Sequence, residues 1–430
     1  MKVISKDQHA ISNKDISANA LNIISGLSSR GHEAYIVGGA VRDLLLDRTP
    51  KDFDIATSAT PEEIRKIFRR ARVIGRRFRI THIRCGKELI EVTTFRGNQQ
   101  KDCSSKKIVH EDFKQSSRGL LLRDNVFGTM KEDATRRDIT VNALYYDPES
   151  LSIINHTGGL NDLSESKISV IGDPSARFIE DPVRILRVIR FATKLNFNIS
   201  RNTAKSIPDM SPLLAEIPSA RLFDEFLKLF LSGNAGNTLE SIINYSLLDY
   251  FLPDLQAQMA NQTKWNKLIK SACANTDLRI YQGKSVTPAF LLAVMLWPKL
   301  STTINQHPNG KQDRFTRLQS AASEVIAKSS SIMAIPKRFC TAIREIWEMQ
   351  YHLEHYKRQK AIYLMTKRRF RAGYDLLVLR EGVGDCSAGL EHRWNQLQNN
   401  HQRTLKSFNR KNLTDLQMAT NKFLDKRAES

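Results

Sequence analysis

The residues best suited to chemistry lie in one stretch, Tyr35 to Thr57, where a Gly38-Gly39 corner is followed by Arg42-Asp43 and then by Asp52-Phe53-Asp54. Alternation along a strand puts Asp52 and Asp54 on one face, roughly 7 Å apart, with Phe53 and Ile55 turned to the core. Carboxylates held that close repel unless a cation sits between them, and Mg²⁺ takes one or two carboxylates plus substrate phosphate oxygens. A solvated acidic edge strand is the plainer meaning of an isolated Asp-Phe-Asp, and its position shortly after the glycine corner argues against it. The apolar run Ala34 to Val37 predicts a buried strand, and Val41 to Leu46 has helical apolar spacing around Arg42 and Asp43. Two residues without Cβ at that corner let a triphosphate approach the backbone N–H groups of a helix N-terminus. Phosphate cradle and paired carboxylates together suit metal-dependent nucleotidyl transfer, with Asp52 and Asp54 as metal ligands and Gly38, Gly39, Arg42 and Asp43 around the nucleotide.

Three further clusters carry charge into apolar contexts. Ile80 to Arg84, Gly86-Lys87 and Glu88 to Phe95 predict a hairpin whose second arm places Leu89, Glu91 and Thr93 on one face and Ile90 and Val92 on the other. Glu91 is thus a candidate third carboxylate, or else an exposed edge residue. In Arg136-Arg137-Asp138, Arg137 is suited to a triphosphate, and Asp138 competes with Glu91 for the third catalytic place or holds ribose and Arg137. Glu180-Asp181-Pro182 is expected to open a helix with Pro182 in its first turn, buried through Ile185, Leu186, Ile189 and Ala192. Asp181 and Arg184 then lie one turn apart. A carboxylate accepting from an exocyclic amine and a guanidinium donating to the neighbouring ring acceptor fit adenine and cytosine and exclude guanine and uracil. An ordinary helix salt bridge is the alternative.

The motifs GGAVRD, DFD, IEVTTFRG, RRDITVNAL, GGLNDL, EDPVRILRVIRFA and ARLFDEFLKL follow one another over about residues 5 to 235. In that order they resemble the bacterial poly(A) polymerases of the class II nucleotidyltransferase family, relatives of the CCA-adding tRNA nucleotidyltransferases. The resemblance implies an α+β chain: a polymerase-β-like head with a small mixed sheet, then a mostly helical neck, body and C-terminal region. It also implies template-free addition of nucleotides to an RNA 3′ end with two Mg²⁺ ions, and a nucleotide-selecting role for Glu180, Asp181 and Arg184. The segment Val73 to Ile83, with Arg76, Arg77, Arg79 and His82, is similar to a signature of poly(A) polymerases, as is Arg368 to Arg380. ATP is therefore the expected substrate. CCA addition is the alternative, and an inactive RNA-binding protein on the same scaffold, using Arg368 to Arg371 and Tyr374 for phosphates and bases, is a second.

Whole-chain properties point the same way. Lys and Arg exceed Asp and Glu by 21 over 430 residues, which calls for a polyanionic partner, and the single-stranded 3′ end of an RNA fits. The most apolar run, Phe290 to Trp297, is far short of the ~20 residues that cross a bilayer, and a cytoplasmic location is expected. Five scattered cysteines give neither a zinc site nor a disulfide framework. The expected divisions are an N-terminal arm and helix over 1–30, the head over 31–159, a neck over 160–235, a body over 236–340 and a basic C-terminal region over 341–430. Within the head, Gly97 to Gly119 lacks periodicity and is expected to be a mobile loop; Arg403 to Ser430 is expected to fray. From Leu160 on, prolines 208, 212, 218, 253, 288, 298 and 308 are spaced as helix boundaries.

Overall fold

Eight strands of the first of two units, Met1–Ile217, form one mixed sheet. They are β1 (Lys2–Ile4), β2 (Ala34–Val37), β3 (Asp54–Thr57), β4 (Ala71–Ile74), β5 (Ile80–Cys85) and β6 (Glu88–Thr94), with two more after a separate hairpin of β7 (Phe113–Gln115) and β8 (Leu121–Asp124). Those two, β9 (Leu144–Asp147) and β10 (Ser152–Asn155), complete the order β1-β10-β9-β2-β3-β6-β5-β4. Within this sheet, among the described residues, only β3 and β6 pair in parallel. The computed structural model describes the whole chain except residues 76–78, 98–112, 116–120, 125, 307–312, 357–359 and 402–430. Arg76, Arg77, most of the stretch Gly97 to Gly119 and the tail from Arg403 therefore lie outside the described residues, although β7 falls within that stretch.

Period-two alternation decides what each face of the sheet does. Ile36, Ile55, Ile83, Ile90 and Val92 point to one face and pack with Ile23, Ile24 and Leu27 of α1 (Ala18–Ser28) and Ile64 of α3 (Pro61–Ile67), α2 being Gly39–Leu45. Val37, Ala56 and Tyr145 point to the other and meet Ala134 of α4 (Met130–Arg136). Asp54 and Glu91 share this second face. The polar arm does more than the sequence predicts, since Lys2 to Ile4 pair with Ile153 to Asn155 and extend the sheet by an edge strand.

Helices α5 (Gly159–Ser164), α6 (Pro174–Glu180), α7 (Val183–Leu195) and α8 (Arg201–Met210) follow, with the short parallel pair β11 (Lys167–Ile168) and β12 (Asn198–Ile199). Glu180 closes α6 instead of opening the next helix. Asp181 is extended, at φ −153° and ψ 95°, and Pro182, which has no N–H to continue α6, becomes the N-cap of α7. The stripe of Ile185, Leu186, Ile189 and Ala192 is buried as the spacing predicts. Pro208 departs from the boundary pattern by sitting in the last turn of α8.

The second unit, Pro218–Ser430, has helices as its regular elements among the described residues. It contains α9 (Ser219–Phe230), α10 (Ala235–Asn244), α11 (Leu255–Asn261), α12 (Thr263–Tyr281), α13 (Pro288–Met295), α14 (Trp297–Gln306), α15 (Arg314–Ile332), α16 (Lys337–Glu354), α17 (Ala361–Thr366) and α18 (Phe370–Gly382). Among the described residues no helix is long and apolar enough to cross a membrane. Phe370 and Tyr374, suggested by sequence as base-stacking residues, are buried with Trp394, and the Tyr374 hydroxyl donates to Asn395 at 2.7 Å. Their aromatic faces therefore serve the core of this unit.

Candidate active site

Gly38 ends β2 at φ +79° and ψ −129°, a conformation that L side chains rarely adopt. A Cβ there would lie 3.7 Å from Arg137 Nη1 and from the Asn142 carbonyl oxygen, so the missing side chain also keeps the space beside Arg137 open. Helix α2 starts at Gly39. Arg42 is buried: its Nη1 donates to Asn142 Oδ1 at 2.5 Å, and Nε and Nη2 donate to Asp43 at 2.8 and 2.6 Å. Its guanidinium lies 5.4 Å from the centre of the Phe191 ring. Arg42 and Asp43 thus pair with one another and tie α2 to the Thr140–Asn142 turn and to α7.

Antiparallel pairing of β2 with β3 begins at Val37 opposite Asp54, and the parallel register of β3 with β6 puts Asp54 opposite Glu91. The β2–β3 ladder stops there because Gly38 turns β2 away. Asp52 consequently lies just before the strand, in an exposed lead-in, where the sequence predicts it inside the strand. Its charge still reaches the site. Burial, then the Glu91 charge, push the Asp54 carboxyl up to about 6; Arg137 opposes the shift and Asp52 adds to it. Asp54 and Glu91 thus stand together, with the Asp52 charge near enough to add to their repulsion.

Arg137 faces them, held from behind. Its Nε and Nη2 donate to Asp133 Oδ2 at 3.1 and 2.9 Å, Nε also reaches the Tyr145 hydroxyl at 3.1 Å, and that hydroxyl donates to Asp133 at 2.6 Å. Burial alone would raise the Asp133 pKa, but the Arg137 charge and hydrogen bonds from Tyr145, Arg137 and the Arg96 N–H outweigh it and hold the carboxyl below the ordinary range. Sequence reasoning missed Asp133 and Tyr145. The i,i+4 spacing of Asp133 and Arg137, behind the Thr129–Glu132 capping box, was the available signal.

Asp138 points elsewhere. It accepts from Arg187 Nε at 2.5 Å and from the Ile139 N–H at 3.0 Å. Burial raises its pKa, and Arg187 with Arg184 more than reverses that. Glu180 binds both Arg184, at 2.6 Å, and Arg177, at 2.7 Å, while Arg184 also donates to the Arg177 carbonyl. Arg177 in turn donates to the carbonyls of Arg136 and Arg137, the latter at 2.7 Å. So Arg184 takes Glu180 as its ion-pair partner, because the break at Asp181 removes the regular i,i+3 relation to Asp181. Asp181 is buried at that break, and its backbone carbonyl accepts from the Arg184 N–H.

Hard oxygen donors in mutual repulsion suit Mg²⁺, and Asp54 and Glu91, with Asp52 in the lead-in beside them, are such donors. Cys85, Cys273, Cys340 and Cys386 are free, and among the described residues no three His, Cys, Asp or Glu side chains are already drawn together as a metal-binding group.

Residues 34–169 match the Poly A polymerase head domain, residues 196–259 a probable RNA and SrmB-binding site of polymerase A, and residues 310–428 the polymerase A arginine-rich C-terminus. Poly(A) polymerase I of Salmonella typhimurium is 42% identical over 386 residues, covering 89% of this chain and 82% of the relative. That of Haemophilus influenzae is 41% identical over 401 residues, 92% of this chain and 88% of the relative. A CCA-adding enzyme of Bacillus licheniformis is 39% identical, but over 228 residues, 53% of this chain and 54% of the relative. A tRNA nucleotidyltransferase solved with a primer tRNA and an incoming ATP analog shares the fold at a TM-score of 0.58 and 22% identity, covering 89% of this chain and 99% of its own.

Proposed function

The chain belongs to the poly(A) polymerase I family of nucleotidyltransferases, and from that premise we propose that it extends RNA 3′ ends without a template, transferring AMP from ATP. A bond forms between the terminal 3′-oxygen and the α-phosphorus; the bond from the α-phosphorus to the bridging oxygen breaks, and pyrophosphate leaves. The observation that carries this is the pairing of Asp54 with Glu91 on the sheet face that Arg137 overlooks, with Asp52 in the lead-in beside them.

Each residue then has a task. Asp52 and Asp54 would hold Mg²⁺, with Glu91 as the third carboxylate, since the register favours Glu91 and Asp138 is engaged by Arg187. When bound, two such ions supply Lewis acidity at the 3′-hydroxyl and offset negative charge on the departing pyrophosphate. Gly38 and Gly39 leave room for the triphosphate, and Arg42 with Asp43 fixes the helix behind it. Arg137, locked by Asp133 and Tyr145, presents its remaining N–H groups to the phosphates without reorganising as charge develops. Asp138 steadies the backbone beside Arg137 through Arg187. We assign Asp181 and Arg184 to the base, Asp181 accepting the exocyclic amine and Arg184 donating to the ring through N–H groups other than the Nη1 that holds Glu180.

ATP is favoured over alternating CTP and ATP because sequence similarity to a poly(A) polymerase covers nine-tenths of the chain, whereas that to a CCA-adding enzyme covers about half. On this reading residues 31–159 catalyse, 160–235 select the nucleotide, and 236–340 and 341–430 grip single-stranded RNA in the cytoplasm. Asp54→Ala tests it: incorporation of AMP into an oligoribonucleotide should vanish while RNA affinity stays equal or rises. Retained turnover would sink the assignment.

A further inference from the structure

The register of the sheet extends the catalytic row beyond Glu91. His82 of β5 stands opposite Glu91, with Nε2 3.3 Å from Oε1, and Arg72 of β4 stands opposite His82. Residues paired directly across strands share a face, so Asp54, Glu91, His82 and Arg72 form one line across four strands. At about 4.8 Å per strand, Arg72 is about 14 Å from the row's catalytic end. There the face opens into a groove of about 740 Å³ lined by Arg69, Arg70, Arg72 and Arg84 together with Ile74 and Leu89.

The chemistry of this groove is unlike that of an ordinary solvated surface. Its four arginines are exposed, and among the described residues none is ion-paired to an acidic side chain, unlike nearby Arg79, which meets Glu62 at 3.6 Å. Between them Ile74 and Leu89 leave 49% and 42% of their surface exposed. Guanidinium groups for phosphate oxygens and apolar side chains against which a base can lie suit a single-stranded nucleic acid. We propose that this groove is the path of the RNA just upstream of its 3′ end, with phosphates on Arg72 and Arg84, then on Arg69 and Arg70, and bases against Ile74 and Leu89. His82 sits between path and carboxylates.

Only the kinetic arm of the test rests on the nucleotidyl-transfer reading. In the double variant Arg72→Ala/Arg84→Ala, KM for an oligoadenylate decamer should rise about tenfold with kcat unchanged, because phosphate contacts add affinity without touching the reacting atoms. A dinucleotide primer, whose single phosphate falls short of the groove, should react as with the parent chain. The binding arm uses the decamer with Asp54→Asn, which removes turnover. There the slope of log affinity against log salt should shallow by roughly 1.4 when both arginines are removed, about 0.7 for each phosphate released. Unchanged KM and unchanged slope would overturn the proposal, as would an equal loss with dinucleotide and decamer. If the parent chain extends no primer, nucleotidyl transfer fails, while the binding slope still decides whether RNA follows this groove.

Discussion

Asp54 and Glu91 stand directly opposite one another on β3 and β6, among the described residues the single parallel pair of an otherwise antiparallel sheet. They lie 37 positions apart in sequence, and each has little reason to approach the other except to share a cation. The pairing separates two carboxylates that sequence alone leaves in competition, for Asp138 belongs to an arginine cluster.

Glu91→Gln should therefore lower kcat by about a hundredfold or more with little change in stability, since an exposed carboxamide replaces an exposed carboxylate. Asp138→Asn should leave a larger share of kcat but destabilise the protein by about 1–3 kcal/mol, because Arg187 loses a buried charged partner. Single-turnover rates and urea denaturation on both variants decide it. The reverse ranking of rates would return the third catalytic place to Asp138.

Repulsion at Asp54 predicts a metal response that needs no turnover. Without divalent ions Asp54→Asn should be more stable than the parent by about 1–2 kcal/mol at neutral pH, because it removes one of the crowded charges. Added Mg²⁺ should raise the melting temperature of the parent and leave that of Asp54→Asn nearly unchanged. Equal Mg²⁺ shifts in the two would place the ion elsewhere.

Asp133 carries a pH signature of opposite sign. Its folded pKa lies below the ordinary carboxylate value, so its contribution is present above that value and is lost as pH falls through the folded one. Asp133→Asn should weaken the slope of stability against pH on the acid side. It should also raise KM for ATP, since Arg137 loses the group that aims it. An unaltered acid slope would contradict the role given to Asp133.

Much of this architecture is legible in local pattern. The strand Ala34–Val37, the hairpin of β5 and β6 and the buried stripe of α7 obey the periodicity of apolar residues, so sequence predicts them closely. Gly38 is legible because only glycine is comfortable at its backbone angles. Pairing is what the sequence withholds. The line from Asp54 through Glu91 and His82 to Arg72 depends on strand order, in which β6 inserts beside β3, and no local signal encodes that. The Asp133–Tyr145–Arg137 triad joins a helix to a strand and was hidden for the same reason, although half of it shows as an i,i+4 pair. The break at Asp181 was misplaced because Pro182 suits the first turn of a helix as readily as the residue before it.

Whether this chain adds A residues to RNA is decided by a single assay. The protein is incubated with Mg²⁺ and each nucleoside triphosphate in turn, on a single-stranded oligoribonucleotide and on a tRNA lacking its 3′ CCA. Long A tracts on the oligoribonucleotide, with little use of CTP, GTP or UTP, are the predicted result. Addition of C, C and A to the tRNA followed by arrest, or no incorporation by well-folded protein, would contradict it.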